Sequence, residues 1–399
     1  MDFEALVSRL KISGSIPEAL PKLFLKTLPD TYFLEHDYIN KISEKYDIFE
    51  EKYLELILKA TDEIKENEDL LTWAKLSVLY LKENKGRRER VSMPMPEPDG
   101  TAASDMLMTI VTLPLVEEAA ESYRSRGFSE DDIKKNFKAL NTVIWIGERE
   151  LGRPVSRKVY FGWNMHYMCC TIFDHGVFNF EISSFPQTSM LLKNKVTNEF
   201  AIMMVTPKMH RDGYILGSLC HTDEDGAFGP DFIETDTDFT GYLAKDGKVI
   251  NKLVTLSKSE WEAVLRPGDP TVSIHIPRKT NLTPEVVKES LVSGFKKAKL
   301  HYPEHQAKFL TCHSWLLSIE LYNHLGESSN ILKFGEIYER YPLLSQGRDC
   351  MKFLFPKECD SLEELEDATS LQAKVKKSFL EGGYIYSAGG IITNEEFYK

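Results

Sequence analysis

The sequence predicts an α+β protein in which an α-helical N-terminal domain, residues 1–155, precedes a domain with a mixed β-sheet flanked by helices, residues 156–399. In the first part, apolar residues recur at helical spacing through charged segments such as 47–83. In the second part, short runs of aromatic and β-branched residues are separated by turn residues. A strand, helix, strand order over residues 271–315 predicts a crossover between parallel strands, so the sheet should be mixed.

Two further helices are predicted before residue 155. The first covers about 104–126. The second follows Ser129, whose hydroxyl is a good N-cap, and Asp131 and Asp132 in its first turn suit the positive end of the helix dipole. This helix should end near Leu151, just before a Gly-Arg-Pro sequence.

The second domain begins with a predicted hairpin formed by residues 159–170 and 171–182 around a turn at Asp174, His175 and Gly176. An Asp-Gly pair at Asp246 and Gly247 predicts another hairpin. The remaining predicted strands are 201–205, 214–219, 239–243, 249–256, 271–276, 308–315, 350–355 and 384–392, and the predicted helices are 284–300 and 370–381. The helix at 284 has Thr283 as N-cap and a proline at its first position.

Charge and composition limit the classes of partner. The net charge is −12, which disfavours nucleic acid and anionic membranes as main partners, although a local basic cleft remains possible. No apolar run is long enough to span a bilayer, and the first residues do not resemble a signal peptide, so we expect a cytoplasmic protein. The six cysteines include no Cys-x-x-Cys pair, and we expect neither disulfides nor a zinc ribbon.

Several blocks beyond residue 105 resemble a bacterial family of acyltransferases that joins a helical N-terminal domain to a GNAT-like C-terminal domain. Three blocks carry most of the resemblance: Leu-Thr-Pro-Glu at 282–285, Cys-His-Ser-Trp-Leu-Leu at 312–317 and Ser-Asn-Ile-Leu-Lys-Phe at 329–334. Thr-Ser-Leu-Gln at 369–372 adds to it, and residues 173–181 match a further stretch more weakly. The resemblance implies a GNAT-like fold and acyl transfer from a coenzyme A thioester, acetyl-CoA or a longer acyl-CoA. It implies no particular substrate and no particular catalytic residues.

In GNAT proteins the CoA pyrophosphate lies where the fourth strand turns into a helix, which is ordinary anion binding at a helix N-terminus. The equivalent segment here is 276–283, and its candidate cofactor-binding residues are Ile276, Arg278, Lys279, Thr280 and Thr283. Two cations suit a pyrophosphate, but the glycine-rich signature that is usual for GNAT proteins is missing. The alternative is a capped helix start with solvated cations.

Four residues are candidates for catalysis: His275, Glu181, Cys312 and His313. His275 near a strand end could be a general base or a buried structural histidine. Glu181 could accept a proton from an amine or be an exposed edge charge. Cys312 and His313 are adjacent on one strand, so they face opposite ways and cannot form a nucleophile pair; packing is the alternative role for Cys312.

An acidic segment follows the predicted strand 214–219. His221, Asp223 and Asp225 are candidates for binding a substrate amine, with more acids at 231–238. A calcium loop is not indicated, because the bidentate glutamate at loop spacing is absent. We expect no metal.

Three hypotheses follow. The first is an N-acyltransferase that moves an acyl group from CoA to a small-molecule or peptide amine by direct attack. The second is a catalytically silent GNAT-like module that binds a metabolite or protein, so enzymatic activity stays open. The third is a metal-dependent hydrolase, for which only residues 221–238 offer ligands. Phosphate-binding loops, the Gly-x-Ser-x-Gly elbow and the His-Glu-x-x-His helix are absent. The oligomeric state stays open.

Overall fold

The structure is a computed structural model that describes residues 2–84, 93–355, 357, 359 and 361–399. The chain divides into two compact units, Met1–Asp174 and His175–Lys399. The first unit consists mainly of helices and the second contains mixed β-structure with helices, so the predicted fold class is confirmed.

The helices of the first unit are α1 Phe3–Arg9, α2 Ala19–Phe24, α3 His36–Tyr46, α4 Glu51–Glu66, α5 Glu68–Asn84, α6 Ala102–Thr112, α7 Val116–Ser125, α8 Glu130–Leu151 and α9 Phe161–Met168. Ser129 caps α8 as predicted, since its hydroxyl accepts a hydrogen bond from the Asp132 N–H at 3.2 Å. The helix predicted over 104–126 is divided into α6 and α7 by a 3-10 turn, Leu113–Leu115, which contains Pro114.

Helix α9 corrects the prediction that residues 159–170 form a strand. Phe161, Asn164, Met165 and Met168 are buried, and their spacing is that of one helix face. That face packs against α6, α7 and α8, so burial overrides the high β-propensity of the aromatic residues in this segment. The hairpin itself is formed by β1, Ile172–His175, and β2, Phe178–Ser184.

A mixed sheet has the order β1-β2-β9-β10-β12-β11. Its later strands are β9 Pro270–His275, β10 Phe309–Ser314, β11 Tyr338–Pro342 and β12 Ala388–Ile392. Strands β9 and β10 are parallel, whereas the pairs β2–β9, β10–β12 and β11–β12 are antiparallel. The predicted crossover is therefore confirmed.

The crossover helix is α10, Pro284–His301. It packs on the face of β2 that carries Phe180: a Cβ added to Gly294 would lie 2.0 Å from the Phe180 ring. The other helices of this unit are α11 Asn330–Glu336, α12 Met351–Leu354 and α13 Ser370–Leu380. The opposite face of β2 carries Asn179 and Glu181, which are in register with His275 and Ser273 of β9.

A second sheet has the order β5-β6-β4-β3-β8, with β7 paired to β6. Its strands are β3 Ser189–Asn194, β4 Phe200–Met204, β5 Ile233–Glu234, β6 Asp238–Lys245, β7 Lys248–Ser257 and β8 Trp261–Leu265. Asp246 and Gly247 both have positive φ in the β6–β7 turn, as a type I′ hairpin requires, so this hairpin is confirmed. Leu191, Ile202 and Leu265 pack against Tyr341 and Ile391 of the first sheet.

Two further predicted strands are absent from the described residues. Residues 214–219 lie in a long loop with only isolated bridges such as Met209 to Ile215, because their backbone groups bond to the loop itself and to Ser345. Residues 350–355 contain the short helix α12, with Cys350 and Phe355 buried in a cluster that includes Val375 and Phe379 of α13.

All six cysteines are described and are free thiols. Across the part of the chain that the structure describes, no helix is both long and apolar enough to cross a membrane.

Candidate active site

The pairing between the parallel strands β9 and β10 ends at Ile274 and Cys312. His275 and His313 are the next residue on each strand, and both are still paired on their outer sides, with Asn179 of β2 and Gly389 of β12. The two histidines therefore lie at or near the carboxyl ends of two neighbouring parallel strands. In open sheets with parallel strands, ligands bind outside the carboxyl ends of the strands.

Glu181 and His275 form a hydrogen-bonded pair. The His275 Nε2 lies 2.6 Å from the Glu181 Oε2. Strand register explains the contact: Glu181 is paired with Ser273 and Asn179 with His275, so these four side chains share one face of the sheet. Glu181 is largely buried, with 14% of its side chain exposed, whereas the His275 side chain is 31% exposed. Sequence reasoning identified each residue separately, and the structure brings them together.

His313 lies on the same face and is bonded to Tyr341. The His313 Nε2 and the Tyr341 hydroxyl are 2.8 Å apart. Gly389 makes this contact possible, because a Cβ at that position would lie 2.3 Å from the Tyr341 ring. Burial raises the pKa of Tyr341 well above its usual value, so the phenol stays protonated at neutral pH.

His313 is uncharged at neutral pH. Part of the His313 side chain is accessible to solvent. The protein around the ring nevertheless disfavours its charged form by desolvation, and the positive charge that His275 can carry disfavours it further. Together these lower the pKa of His313 to about 4, against a smaller opposing influence of Glu181. A neutral imidazole with so low a pKa is a hydrogen-bonding group and a weak base at pH 7.

Cys312 is a packing residue, which removes it from the catalytic candidates. It faces away from His313, is fully buried, and burial raises its thiol pKa to about 12. Because the thiolate is the nucleophilic form, this cysteine is unreactive at neutral pH.

The candidate cofactor loop lies between the end of β9 and α10. Thr280 donates its N–H to the Pro277 carbonyl at 3.3 Å, which closes a turn with Lys279 at φ +62°. The Arg278 Nη1 donates to the Lys352 carbonyl at 3.4 Å. Thr283 occupies the N-cap position, but its side chain makes no capping bond. The hydroxyl of Thr280 donates to the Pro277 carbonyl at 2.6 Å, and Ile276 connects His275 to the turn.

The third set of predicted residues lies in the long loop between β4 and β5. His221 contacts His210 there, while Asp223 accepts a hydrogen bond from His210 or Arg211, and Asp225 pairs with Arg211 at 2.8 Å. Neither aspartate contacts Glu181 or His275 among the interactions that the described residues make. His221 and the two aspartates are thus grouped with each other rather than with the His275 pair.

Sequence reasoning missed Tyr341, His210 and Asp212. Tyr341 gave no signal, because a tyrosine in a strand is usually a packing residue. His210 and Asp212 form a His-x-Asp pair 11 and 9 residues before His221, and that spacing was available in the sequence.

Comparisons with solved structures show the same fold over the whole chain. One is an acyltransferase in complex with CoA and 10C-teicoplanin, at 16% identity and a TM-score of 0.68. Another is an acyltransferase in complex with decanoyl-CoA, at 18% identity and a TM-score of 0.66. A third is an acyltransferase variant in complex with octanoyl-CoA, at 16% identity and a TM-score of 0.67. Each alignment covers 98% of this chain and 99% of the other.

No curated protein matches the chain. The family model described as the GNAT-like C-terminal domain matches residues 172–392, which is more than half of the chain and includes the Glu181–His275 pair, the loop 276–283 and His313. This confirms the resemblance found in the sequence, and the chain belongs to the family of proteins with a GNAT-like C-terminal domain.

Proposed function

We propose that this protein transfers an acyl group from a coenzyme A thioester to an amine acceptor, with His275 as general base and Glu181 as the residue that positions it. The observation that carries the proposal is the 2.6 Å Glu181–His275 contact near the carboxyl ends of the parallel strands β9 and β10. Membership of the GNAT-like family supports it.

Glu181 determines which nitrogen of His275 acts as the base. A carboxylate only accepts hydrogen bonds, so Nε2 carries the proton in the neutral ring and Nδ1 carries the lone pair. When Nδ1 takes a proton from the attacking amine, the negative charge of Glu181 stabilises the imidazolium. This is the role that the carboxylate has in a Ser-His-Asp triad.

The chemical step is direct transfer. The amine nitrogen attacks the thioester carbonyl carbon, and one amine proton passes to His275. Collapse of the tetrahedral intermediate breaks the carbon–sulfur bond, and the proton moves from His275 to the CoA thiolate. The products are the amide and free CoA, and His275 is returned to its starting state.

His313 is assigned a different task because its pKa is lowered to about 4. In the tautomer that accepts from Tyr341 at Nε2, it carries a proton on Nδ1. That N–H can donate to the carbonyl oxygen of the thioester as negative charge develops there. Tyr341 holds the ring in position.

The loop 276–283 is the proposed site for the CoA pyrophosphate. Arg278 and Lys279 supply positive charge, and the N-terminus of the 18-residue helix α10 lacks a side-chain cap from Thr283. Backbone N–H groups and the helix dipole favour an anion there. Glu285 in the first turn opposes this and sets a limit on the affinity.

Octanoyl-CoA and decanoyl-CoA are the first donors to test, because both occur in complexes of the structural neighbours. The assay measures free CoA thiol released with a panel of small-molecule and peptide amines, and mass spectrometry identifies the product. We expect amine-dependent thiol release matched by one acyl group on the amine. Thiol release without any need for an amine would contradict N-acyl transfer and indicate a thioesterase.

The second candidate is a catalytically silent module. It is favoured by one observation: the loop 276–283 contains no glycine, so side chains limit how closely a pyrophosphate can approach its backbone. Binding of acyl-CoA without thiol release from any amine would support this alternative.

A further inference from the structure

The loop between β4 and β5 brings three potential metal ligands to one point. Among the residues that the structure describes, His210, Asp212 and His221 form a group of this kind. The Nδ1 atoms of the two histidines are 3.2 Å apart, and the Asp212 Oδ2 lies 3.2 Å from His210 Nδ1 and 3.6 Å from His221 Nδ1. Two imidazole nitrogens and a carboxylate oxygen thus occupy the corners of a small triangle.

The size of this triangle matches a metal site. Zinc binds histidine nitrogen and carboxylate oxygen at about 2.0–2.2 Å, usually with tetrahedral geometry. In a regular tetrahedron, bonds of that length separate two ligand atoms by about 3.3–3.6 Å. The three observed separations, 3.2, 3.2 and 3.6 Å, are therefore close to those of one face of such a tetrahedron. Two hydrogen bonds to His210 Nδ1 compete with a metal, and an ion would replace both: one from the Asp212 N–H at 3.3 Å and one with His221 Nδ1 at 3.2 Å.

His210 is held as a ligand should be. Its side chain is only 2% exposed, and the nitrogen that points away from the triangle, Nε2, lies 3.2 Å from the Asp223 Oδ2. A carboxylate on the far nitrogen of a ligating histidine fixes the tautomer with Nδ1 unprotonated and makes that nitrogen a stronger ligand. The other oxygen of Asp223 is 3.3 Å from Arg211 Nη1, which holds the carboxylate in place.

His221 is fixed by packing on an aromatic ring. The ring of Tyr214 stacks on it with centroids 4.4 Å apart, and Tyr386 lies beside both rings. Tyr386 also donates its hydroxyl to the Leu219 carbonyl at 2.9 Å, which anchors this part of the loop. The ligands therefore come from two segments of the loop, and each segment is independently held.

We propose that His210, Asp212 and His221 bind one divalent transition-metal ion of the zinc class, with Asp223 as the residue that positions His210. Two imidazoles and a carboxylate suit zinc, cobalt or copper and do not suit magnesium or calcium, which prefer oxygen ligands alone. Three protein ligands leave a fourth position for water or for a donor atom of a substrate. The ion joins the segments around 210 and 221, so it stabilises a loop that contains no α-helix. This proposal does not depend on the proposed transferase activity.

The test uses the full chain after dialysis against a chelator. Cobalt is titrated in and followed by visible absorption, because tetrahedral cobalt absorbs far more strongly than octahedral cobalt, and zinc is then added in competition. We expect one cobalt per chain with a tetrahedral spectrum, displaced by one zinc, and a rise in melting temperature with either metal. Magnesium should produce neither change.

Asp212→Asn removes the carboxylate ligand, and we expect it to weaken cobalt binding by at least about tenfold. Asp223→Asn leaves all three ligands in place and should weaken binding by about 10- to 100-fold through His210. Asp225→Asn is the matched control, since it removes the same charge from an exposed residue of the same loop that pairs with Arg211. Melting of the metal-free variants shows that each is folded.

Three results would overturn the proposal: no stoichiometric cobalt uptake by the folded wild type, an octahedral spectrum, or equal weakening by Asp225→Asn and Asp212→Asn. The last would mean that cobalt responds to the general negative charge of the loop. In each of these cases the three side chains would be explained by hydrogen bonding alone.

Discussion

The Glu181–His275 pair and the His210–Asp212–His221 group both place imidazole beside carboxylate, but different parts of the backbone position them. Strand register positions the first: Glu181 and His275 share a face because β2 and β9 pair antiparallel. An irregular loop positions the second, through bridges and hydrogen bonds to Ser345 and Tyr386. Which residues of one strand share a face can be expected from alternation along that strand. Residues that a loop brings together cannot, because turn geometry has no fixed period.

This difference has a consequence for variants. A change at the strand-built pair should alter the proposed chemistry and leave metal binding intact, whereas a change at the loop-built group should alter metal binding.

Replacement of the proposed base should have the largest effect. His275→Gln keeps a polar side chain but removes the proton acceptor, so the rate of amine acylation should fall by roughly 10²- to 10⁴-fold. Cobalt binding should not change. His305→Gln is the control, because His305 bonds to the Thr271 carbonyl at the opposite end of the same strand. A full rate in His275→Gln would show that another group is the base.

Glu181→Gln should have a smaller effect on the same reaction. The amide can still bond to His275 but no longer stabilises an imidazolium, so we expect a rate about 10- to 100-fold lower. Steady-state assays should show the loss in kcat rather than in KM. Glu339→Gln, which removes an exposed carboxylate from β11 of the same sheet, is the control. If both variants lose the same activity, the effect is one of general charge.

The helix that supports the strand-built pair can be tested through stability. Gly294→Ala would place a methyl group 2.0 Å from the buried Phe180 ring, so α10 must shift on β2. We expect the free energy of unfolding to fall by about 1–3 kcal/mol, measured by urea denaturation. Gly326→Ala, where an added Cβ meets open space, is the control and should change little. An unchanged stability in Gly294→Ala would contradict the packing of α10 on β2.

The low pKa of His313 predicts that the stability of the folded protein depends modestly on pH. A histidine whose pKa falls from 6.5 in the unfolded chain to about 4 in the folded protein binds more protons when unfolded between these values. Its contribution to stability is therefore complete above pH 6.5 and is lost as the pH falls towards 4. His313→Gln should reduce the difference in melting temperature between pH 7 and pH 5. The same difference in His313→Gln as in the wild type would contradict the assigned pKa.

The crossover between β9 and β10 was predictable, because a buried strand, a Thr-Pro-Glu helix start and a second buried strand are strong local signals. Helix α9 was not predicted, since its aromatic residues favour a strand by propensity and only burial against neighbouring helices decides the outcome. At the site, His275, Glu181 and His313 were identified as single residues. Their grouping depends on the register of β2, β9 and β10, which a single sequence does not specify. His210 and Asp212 were missed because a loop brings them to His221.

The most direct test of the acyl-CoA assignment is a calorimetric titration of the folded protein with decanoyl-CoA. It compares the wild type with Arg278→Ala/Lys279→Ala and with Lys296→Ala/Lys299→Ala, which removes the same charge from the second half of α10. The account predicts saturable binding that is weakened at least about tenfold by the first pair, because each charge-assisted contact contributes about 1.5–3 kcal/mol, and unchanged by the second. Absence of binding of decanoyl-CoA and of acyl-CoAs of other chain lengths to the wild type would contradict acyl transfer from coenzyme A.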